Sequence, residues 1–312
     1  MAIQQIKPLK KGDTIGLTAP AGPVTKERLE KAISVIKEIG FNVEVGDTCY
    51  EHYGGYLAGT PIQRANELNS LFANHAISAI FCLRGGYGSL HLLPLLDYET
   101  IKMNPKLFIG YSDITALHIA FQQRCDLPTI HGPMPASDLV ERDSFTLESL
   151  YSILTEYPNV GCVENPQSEL INCLVPGIAK GILVGGNLSV SVSTLGTPYE
   201  IDTKGKILFL EDIGEEPYRI DRMLTQLALA GKISDAAGIV LGTWTECSSE
   251  RYADGFQVED LFKSIIAPAG KPVIFNVRAG HCKSSLSLPL GLSAYLDAEK
   301  GILSFGEQNL AN

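Results

Sequence analysis

In the first half of the chain, apolar runs too short for helices alternate with stretches of helical periodicity. That alternation most constrains the fold. Residues 14–18 read as a strand, residues 26–39 carry Leu29, Ile33 and Ile36 on one helical face, and residues 41–45 return as a strand. After an aromatic, glycine-rich loop over 50–59, Thr60-Pro61-Ile62-Gln63 has the form of a capping box with proline at the first helical position. It opens a helix to about Phe72. Residues 77–83 form the next strand, which runs through Arg84-Gly85-Gly86-Tyr87-Gly88-Ser89 into a helix ending near Leu96. Strands separated by helices at this spacing predict βαβ units and a parallel, doubly wound sheet, whose ligands bind at the carboxyl ends of the strands.

The next unit, residues 107–118, is the sharpest. Leu107 to Ile109 is apolar, Gly110 permits a tight bend, and helical spacing begins at Asp113 and continues to Gln122. Ser112 falls at the turn. Such geometry pushes a hydroxyl out beyond the sheet, where the unpaired N–H groups of the helix amino terminus face any negative charge forming beside it. Ser112 is then either a nucleophile or a helix cap, and this stretch alone leaves both open. Residues 129–134 and 144–154 predict one more strand and one more helix.

At 312 residues the chain is long enough for two cores. Periodicity fades between Tyr157 and Pro176, so the expected organisation is a domain over 1–157, a linker over 158–177 and a second domain over 178–312. The second half has more strand and less helix, with strands expected over 182–184, 206–210, 238–241, 273–277, 292–297 and 302–305. Helices are expected over 188–195 and 217–229, the latter carrying Ile220, Met223, Leu224 and Leu227 on one stripe. The fold class is therefore α/β, with a smaller β-rich carboxyl-terminal domain.

The formal charge of −10 argues against nucleic acid or an anionic membrane surface as the main partner. Residues 1–13 show no apolar targeting core, and no later apolar run is long enough to cross a bilayer, so the expected location is cytoplasmic. Seven scattered cysteines without C-x-x-C spacing read as free thiols, with Cys82 packed in a strand. Six histidines without ligand spacing give no support to a metal centre, and no cofactor is expected.

A serine nucleophile needs a base, and the base needs a carboxylate to fix its tautomer. Glu211 follows the apolar run Ile207-Leu208-Phe209-Leu210, and His281 follows another in Arg278-Ala279-Gly280-His281-Cys282. Asp212, Glu215 and Glu216 lie close by, but only Glu211 follows the run immediately. Taken singly, each is as compatible with a solvated or packed residue as with a catalyst.

In combination, Thr18-Ala19-Pro20-Ala21-Gly22, Leu83-Arg84-Gly85-Gly86-Tyr87-Gly88, Gly110-Tyr111-Ser112-Asp113, the segment from Leu210 to Arg222, and Gly280-His281 before Leu288-Pro289-Leu290-Gly291 occur in this order. Over nearly its whole length the chain resembles the serine LD-carboxypeptidases of murein recycling. That resemblance implies a flavodoxin-like amino-terminal domain carrying the nucleophile, Ser112. A β-rich second domain would carry the general base, His281, and its orienting acid, Glu211. The implied reaction releases the terminal D-alanine of a murein tetrapeptide through an acyl-enzyme, and the family suggests a homodimer. The turn departs from G-x-S-x-G, since Ile114 holds the second glycine position. An oxyanion hole is expected from the N–H groups of Gly86 and Asp113, and Arg84, Arg278 or Lys283 could bind the substrate carboxylate. The related microcin-immunity peptidases, which cleave peptidyl- or aminoacyl-nucleotides, tend to carry a longer insertion before the histidine. Here Trp244 is the only tryptophan available to stack on a base. A non-catalytic binding protein on the same fold would not require Ser112, Glu211 and His281 together.

Overall fold

A computed structural model describes residues 6–141, 143–166, 169–249 and 254–306. The chain divides into two compact units, Met1–Pro158 with Ser284–Gly291, and Asn159–Lys283 with Leu292–Asn312.

The first unit contains β1 (Thr14–Thr18), α1 (Lys26–Glu38), β2 (Asn42–Val45), α2 (Pro61–Ala73), β3 (Ala79–Cys82), α3 (Tyr98–Met103), β4 (Leu107–Gly110), α4 (Thr115–Cys125), β5 (Thr129–His131) and α5 (Ser144–Glu156). Its sheet has the order β2-β1-β3-β4-β5, all parallel. This is the flavodoxin-like order, which reverses direction between β1 and β3. Every residue of β3 and β4 is buried, as in a parallel sheet covered on both faces, while β2 at the edge alternates exposed and half-buried positions. The capping box at Thr60 and Gln63 is formed with Pro61 at the first helical position, and Thr25, Asp97 and Asp143 cap α1, α3 and α5.

Two expectations here change in detail. The helix expected to end near Leu96 is a 3-10 helix, Ser89–Leu95, with Pro94 inside it. Proline has no N–H to donate, which works against a regular α-helical ladder. The helix expected from Asp113 begins as a single 3-10 turn, Ser112–Ile114, before α4.

The second unit contains β6 (Gly161–Cys162), β7 (Asn172–Val175), β8 (Ile178–Asn187), α6 (Leu188–Ser193), β9 (Ile207–Ile213), α7 (Pro217–Leu229), β10 (Gly238–Thr245) and β11 (Val273–Phe275). After β12 (Leu288–Leu290), it resumes with β13 (Ser293–Asp297) and β14 (Ile302–Phe305). Its sheet runs β6-β14-β13-β8-β9-β10-β11-β7. The centre, β8 to β11, is parallel, and antiparallel strands flank it on both sides.

The expected boundaries differ from these units in two places. Residues 158–177 contain β6 and β7, which add to the two ends of the second sheet; their weak periodicity is that of short edge strands with no buried residue, half-buried or exposed throughout. Ser284–Gly291 returns to the first unit, where β12 pairs antiparallel with β5 and completes its sheet. Strand β9 also runs three residues past the expected end, so Glu211 lies inside it. Among the described residues, no helix is long and apolar enough to cross a membrane. Among the described residues no disulfide joins any of the seven cysteines, and Cys82 is fully buried in β3.

Candidate active site

In the first unit, β4 delivers Ser112 into a backbone conformation that side-chain-bearing residues seldom adopt, with φ of 65°. A non-glycine residue there is strained by about 1–3 kcal/mol, a cost that recurs at functional turns. Tyr111 before it is fully extended, and α4 begins three residues later. Neither the 3-10 turn nor α4 receives a side-chain cap, so the Ser112 hydroxyl is not spent in capping. Behind the turn, fully buried His118 of α4 places Nε2 2.8 Å from the Gly110 carbonyl, to which it donates. Burial pushes the His118 imidazole down to about 4, which keeps it neutral.

The Arg84-Gly85-Gly86 turn at the end of β3 packs against this serine. A Cβ at Gly85 would lie 2.9 Å from Ser112 Cβ and 3.0 Å from its Oγ, so glycine makes room for the hydroxyl. Gly86 has φ of 129°, and a Cβ there would sit 3.3 Å from the backbone of Gly22, which donates its N–H to the Gly85 carbonyl at 3.2 Å. Asp113 contributes more than a backbone amide. Its buried carboxylate accepts the Ser89 N–H at 2.8 Å, tying the loop after β3 to the serine turn. Burial raises its carboxyl above the ordinary carboxylate range, against hydrogen bonds from Ser89 and Gly88. Arg84 is exposed; its guanidinium donates to the carbonyls of Gly85 and Pro23, at 3.1 and 3.3 Å.

In the second unit, Glu211 is fully buried in the middle of the parallel sheet, between β8 and β10. His281, on the loop after β11, places Nδ1 2.7 Å from Glu211 Oε2, and its backbone N–H donates to the same oxygen at 3.2 Å. An ionised carboxylate only accepts, so Nδ1 carries the proton and Nε2 is the basic nitrogen. The approach depends on Gly280, with φ of 115°, where a Cβ would stand 2.4 Å from Glu211 Oε2. The histidine loop is anchored to β10, because the Thr243 N–H donates to the Ala279 carbonyl at 3.1 Å and the Thr245 hydroxyl donates to that of His281.

Asp212 and Glu215 are committed elsewhere. Asp212 points to the opposite face of β9, as strand alternation requires, and accepts from Asn187 Nδ2 at 2.8 Å and from the Ser189 N–H and hydroxyl at 3.0 and 2.6 Å. Glu215 pairs with Arg219 at 3.6 Å, and Glu216 precedes α7. Arg278 is also engaged: its Nε lies 3.1 Å from Glu169 and its Nη2 donates to the Lys283 carbonyl at 2.7 Å. Lys283 itself is exposed. The roles of the Asp113 side chain and of Gly280 were not read from the sequence. Their signal was adjacency, one residue after the serine and one before the histidine.

A family model described as the LD-carboxypeptidase amino-terminal domain matches residues 15–132, and one for the carboxyl-terminal domain matches residues 180–296. The chain belongs to the LD-carboxypeptidase family. A probable murein peptide carboxypeptidase of Bacillus subtilis is 41% identical over 298 residues, covering 94% of this chain and 92% of that protein. Among solved LD-carboxypeptidase structures, muramoyltetrapeptide carboxypeptidase from Oxalobacter formigenes superposes with a TM-score of 0.81 at 30% identity, covering 94% of this chain and 99% of that one. The Microcin C7 self-immunity protein MccF of Escherichia coli is 29% identical, over 97% of this chain and 96% of that protein. A structure of MccF in complex with glutamyl sulfamoyl guanosine superposes with a TM-score of 0.87 at 27% identity, covering 97% and 98% of the two chains.

Proposed function

We propose that this LD-carboxypeptidase is a serine peptidase that removes the terminal D-alanine from murein tetrapeptides, with its nucleophile on the amino-terminal domain and its acid–base pair on the carboxyl-terminal one. The observation that carries the reading is the His281–Glu211 hydrogen bond of 2.7 Å, built around a buried carboxylate, together with Ser112, the one strained strand-to-helix serine among the described residues. In the reaction, Ser112 Oγ attacks the carbonyl carbon on the L-centre of diaminopimelate, and His281 Nε2 takes its proton. Glu211 stabilises the imidazolium that results. The N–H groups of Gly86 and Asp113 bind the oxyanion. The C–N bond breaks, His281 returns the proton to the departing D-alanine amine, and water then hydrolyses the Ser112 ester by the same route.

Arg84 is the preferred anchor for the substrate carboxylate. It is exposed and forms no ion pair among the described residues, whereas Arg278 is paired with Glu169. A guanidinium can grip a carboxylate through two parallel hydrogen bonds. We place the enzyme in the cytoplasm as a homodimer, which sedimentation of the purified chain checks.

The test is incubation with murein tetrapeptide and analysis of the products. Release of D-alanine by the wild type, and none by Ser112→Ala, is the expected result. The resemblance to MccF supplies the competing outcome, preferential cleavage of an aminoacyl-nucleotide. Against it, Trp244 packs edge-on against Phe262, with ring centroids 5.2 Å apart, in place of presenting both faces to a base.

A further inference from the structure

The largest fully buried side chain in the first unit is a charged one, Arg64 in the first turn of α2. Its Nε donates to the Gly59 carbonyl at 3.1 Å, and its Nη1 to the carbonyls of Pro20 and Gly88 at 2.5 and 3.1 Å. Those three carbonyls belong to three loops: the one after β1, the one before α2 and the one after β3. Nη2 is buried with no hydrogen-bond partner among the described residues. A desolvated cation held only by carbonyls, with one nitrogen unmatched, is a poor device for stability, since apolar side chains in such places are often neutral or stabilising. What this residue does control is geometry.

The connection continues past Gly88. The next residue, Ser89, donates its N–H to the Asp113 carboxylate, and Asp113 follows Ser112 directly. Arg64, Gly88, Ser89 and Asp113 therefore form one buried chain of contacts that runs from α2 through the loop after β3 to the serine turn. The two amides assigned above to the oxyanion, those of Gly86 and Asp113, sit on the two segments this chain joins. Arg64 and Asp113 also carry opposite charges that partly offset each other's burial.

We propose that Arg64 is a positioning residue for the oxyanion hole, setting the Gly85–Ser89 loop against the Ser112–Asp113 turn so that both amides aim at one point. It touches no reacting atom. Oxyanion-hole donors act only on charge that develops in the transition state, so a loop displaced by a fraction of an ångström should lower turnover and leave ground-state binding nearly alone. This inference rests on Ser112 being the nucleophile.

The experiment measures Arg64→Lys and Arg64→Met with murein tetrapeptide. Lysine keeps the charge but cannot reach three carbonyls in a planar fork, and methionine removes both. Expected is a fall in kcat of at least about tenfold for Arg64→Lys and more for Arg64→Met, with KM within about threefold of wild type in each. A peptide boronic acid, which adds to the serine as a tetrahedral mimic, should lose affinity in parallel with kcat, while a non-hydrolysable tetrapeptide analogue should not. Wild-type kcat in folded Arg64→Lys, or equal loss of affinity for both ligands, would overturn the proposal. Should Arg64→Met fail to fold, Arg64→Lys alone decides. Ser112→Ala run in parallel separates the two readings: if it retains activity the nucleophile is wrong, and if it is inactive while Arg64→Lys is normal, only the positioning role falls.

Discussion

Glu211 and Asp212 are adjacent buried carboxylates on one strand, and the pleat sends them to different tasks. Glu211 holds the His281 ring, while Asp212 ties the amino end of α6 to β9 through Asn187 and Ser189. Glu211→Gln should therefore lower kcat by roughly ten-thousandfold, since an amide cannot support the imidazolium, with little change in melting temperature. Asp212→Asn should do the reverse, lowering stability through broken buried hydrogen bonds while the folded fraction stays active. Ser112→Ala should cost about a millionfold in kcat. Side-by-side kinetics and thermal melts of the three variants check the assignment; a larger kcat loss in Asp212→Asn than in Glu211→Gln would reverse the two roles. Gly280→Ala is a sharper probe. Its Cβ would collide with Glu211 Oε2, so activity should fall by at least about a hundredfold although no catalytic side chain is changed. Near-normal activity would mean that the histidine loop can shift without breaking the pair.

Helix α4 shows how an element can serve the site from behind and set the pH response of the fold. His118 is neutral in the native state, held near 4, but regains an ordinary histidine affinity for protons, near 6.5, when the chain unfolds. The unfolded state then binds the extra proton first as pH falls. The stability this group contributes is complete above about pH 6.5 and is lost progressively down to about pH 4, a change on the order of 3 kcal/mol. Urea midpoints at pH 7 and pH 4.5 should differ less in His118→Gln, whose amide can still donate to Gly110, than in wild type. Equal slopes in the two proteins would remove His118 from the acid response. The same helix marks where the sequence stops being legible. The strand, bend and helix around Ser112 could be read because their signals are local: an apolar run, a glycine, then helical spacing. The 3-10 turn and the positive φ at Ser112 could not, because they follow from the packing of Gly85 and Gly110 against neighbouring segments. For the same reason Glu211 could be singled out beside an apolar run but not placed inside β9, which is lengthened by pairing with β10.

At the scale of the whole molecule, the chain passes from the first unit to the second at residue 158, returns at 284 and leaves again at 291. No local signal marks that return, since Leu288-Pro289-Leu290 reads as any short apolar run and its partner β5 lies some 160 residues earlier. Its energetic weight is nonetheless clear. Strand β12 covers the outer edge of β5, whose three residues are all buried. The flanking serines continue the attachment along α5: the Ser285 N–H donates to the Thr146 hydroxyl and the Ser287 N–H to the Ser149 hydroxyl, both at 2.9 Å, and the Ser284 hydroxyl donates to Asp143 at 3.0 Å. A fragment cut at the first crossing, residues 1–158, would keep every helix and every parallel strand of its unit but uncover the buried edge strand β5 and remove the hydrogen bonds that Ser284, Ser285 and Ser287 make to α5. Such an edge is a template for pairing with other chains. The fragment is therefore expected to aggregate, while the same fragment with residues 284–291 joined through a flexible linker should stay monomeric and unfold cooperatively. Light scattering and urea denaturation of the two fragments measure this. A soluble, cooperatively folding 1–158 fragment would show that β12 is dispensable to the first unit and that its return across the chain serves some purpose other than closing the sheet.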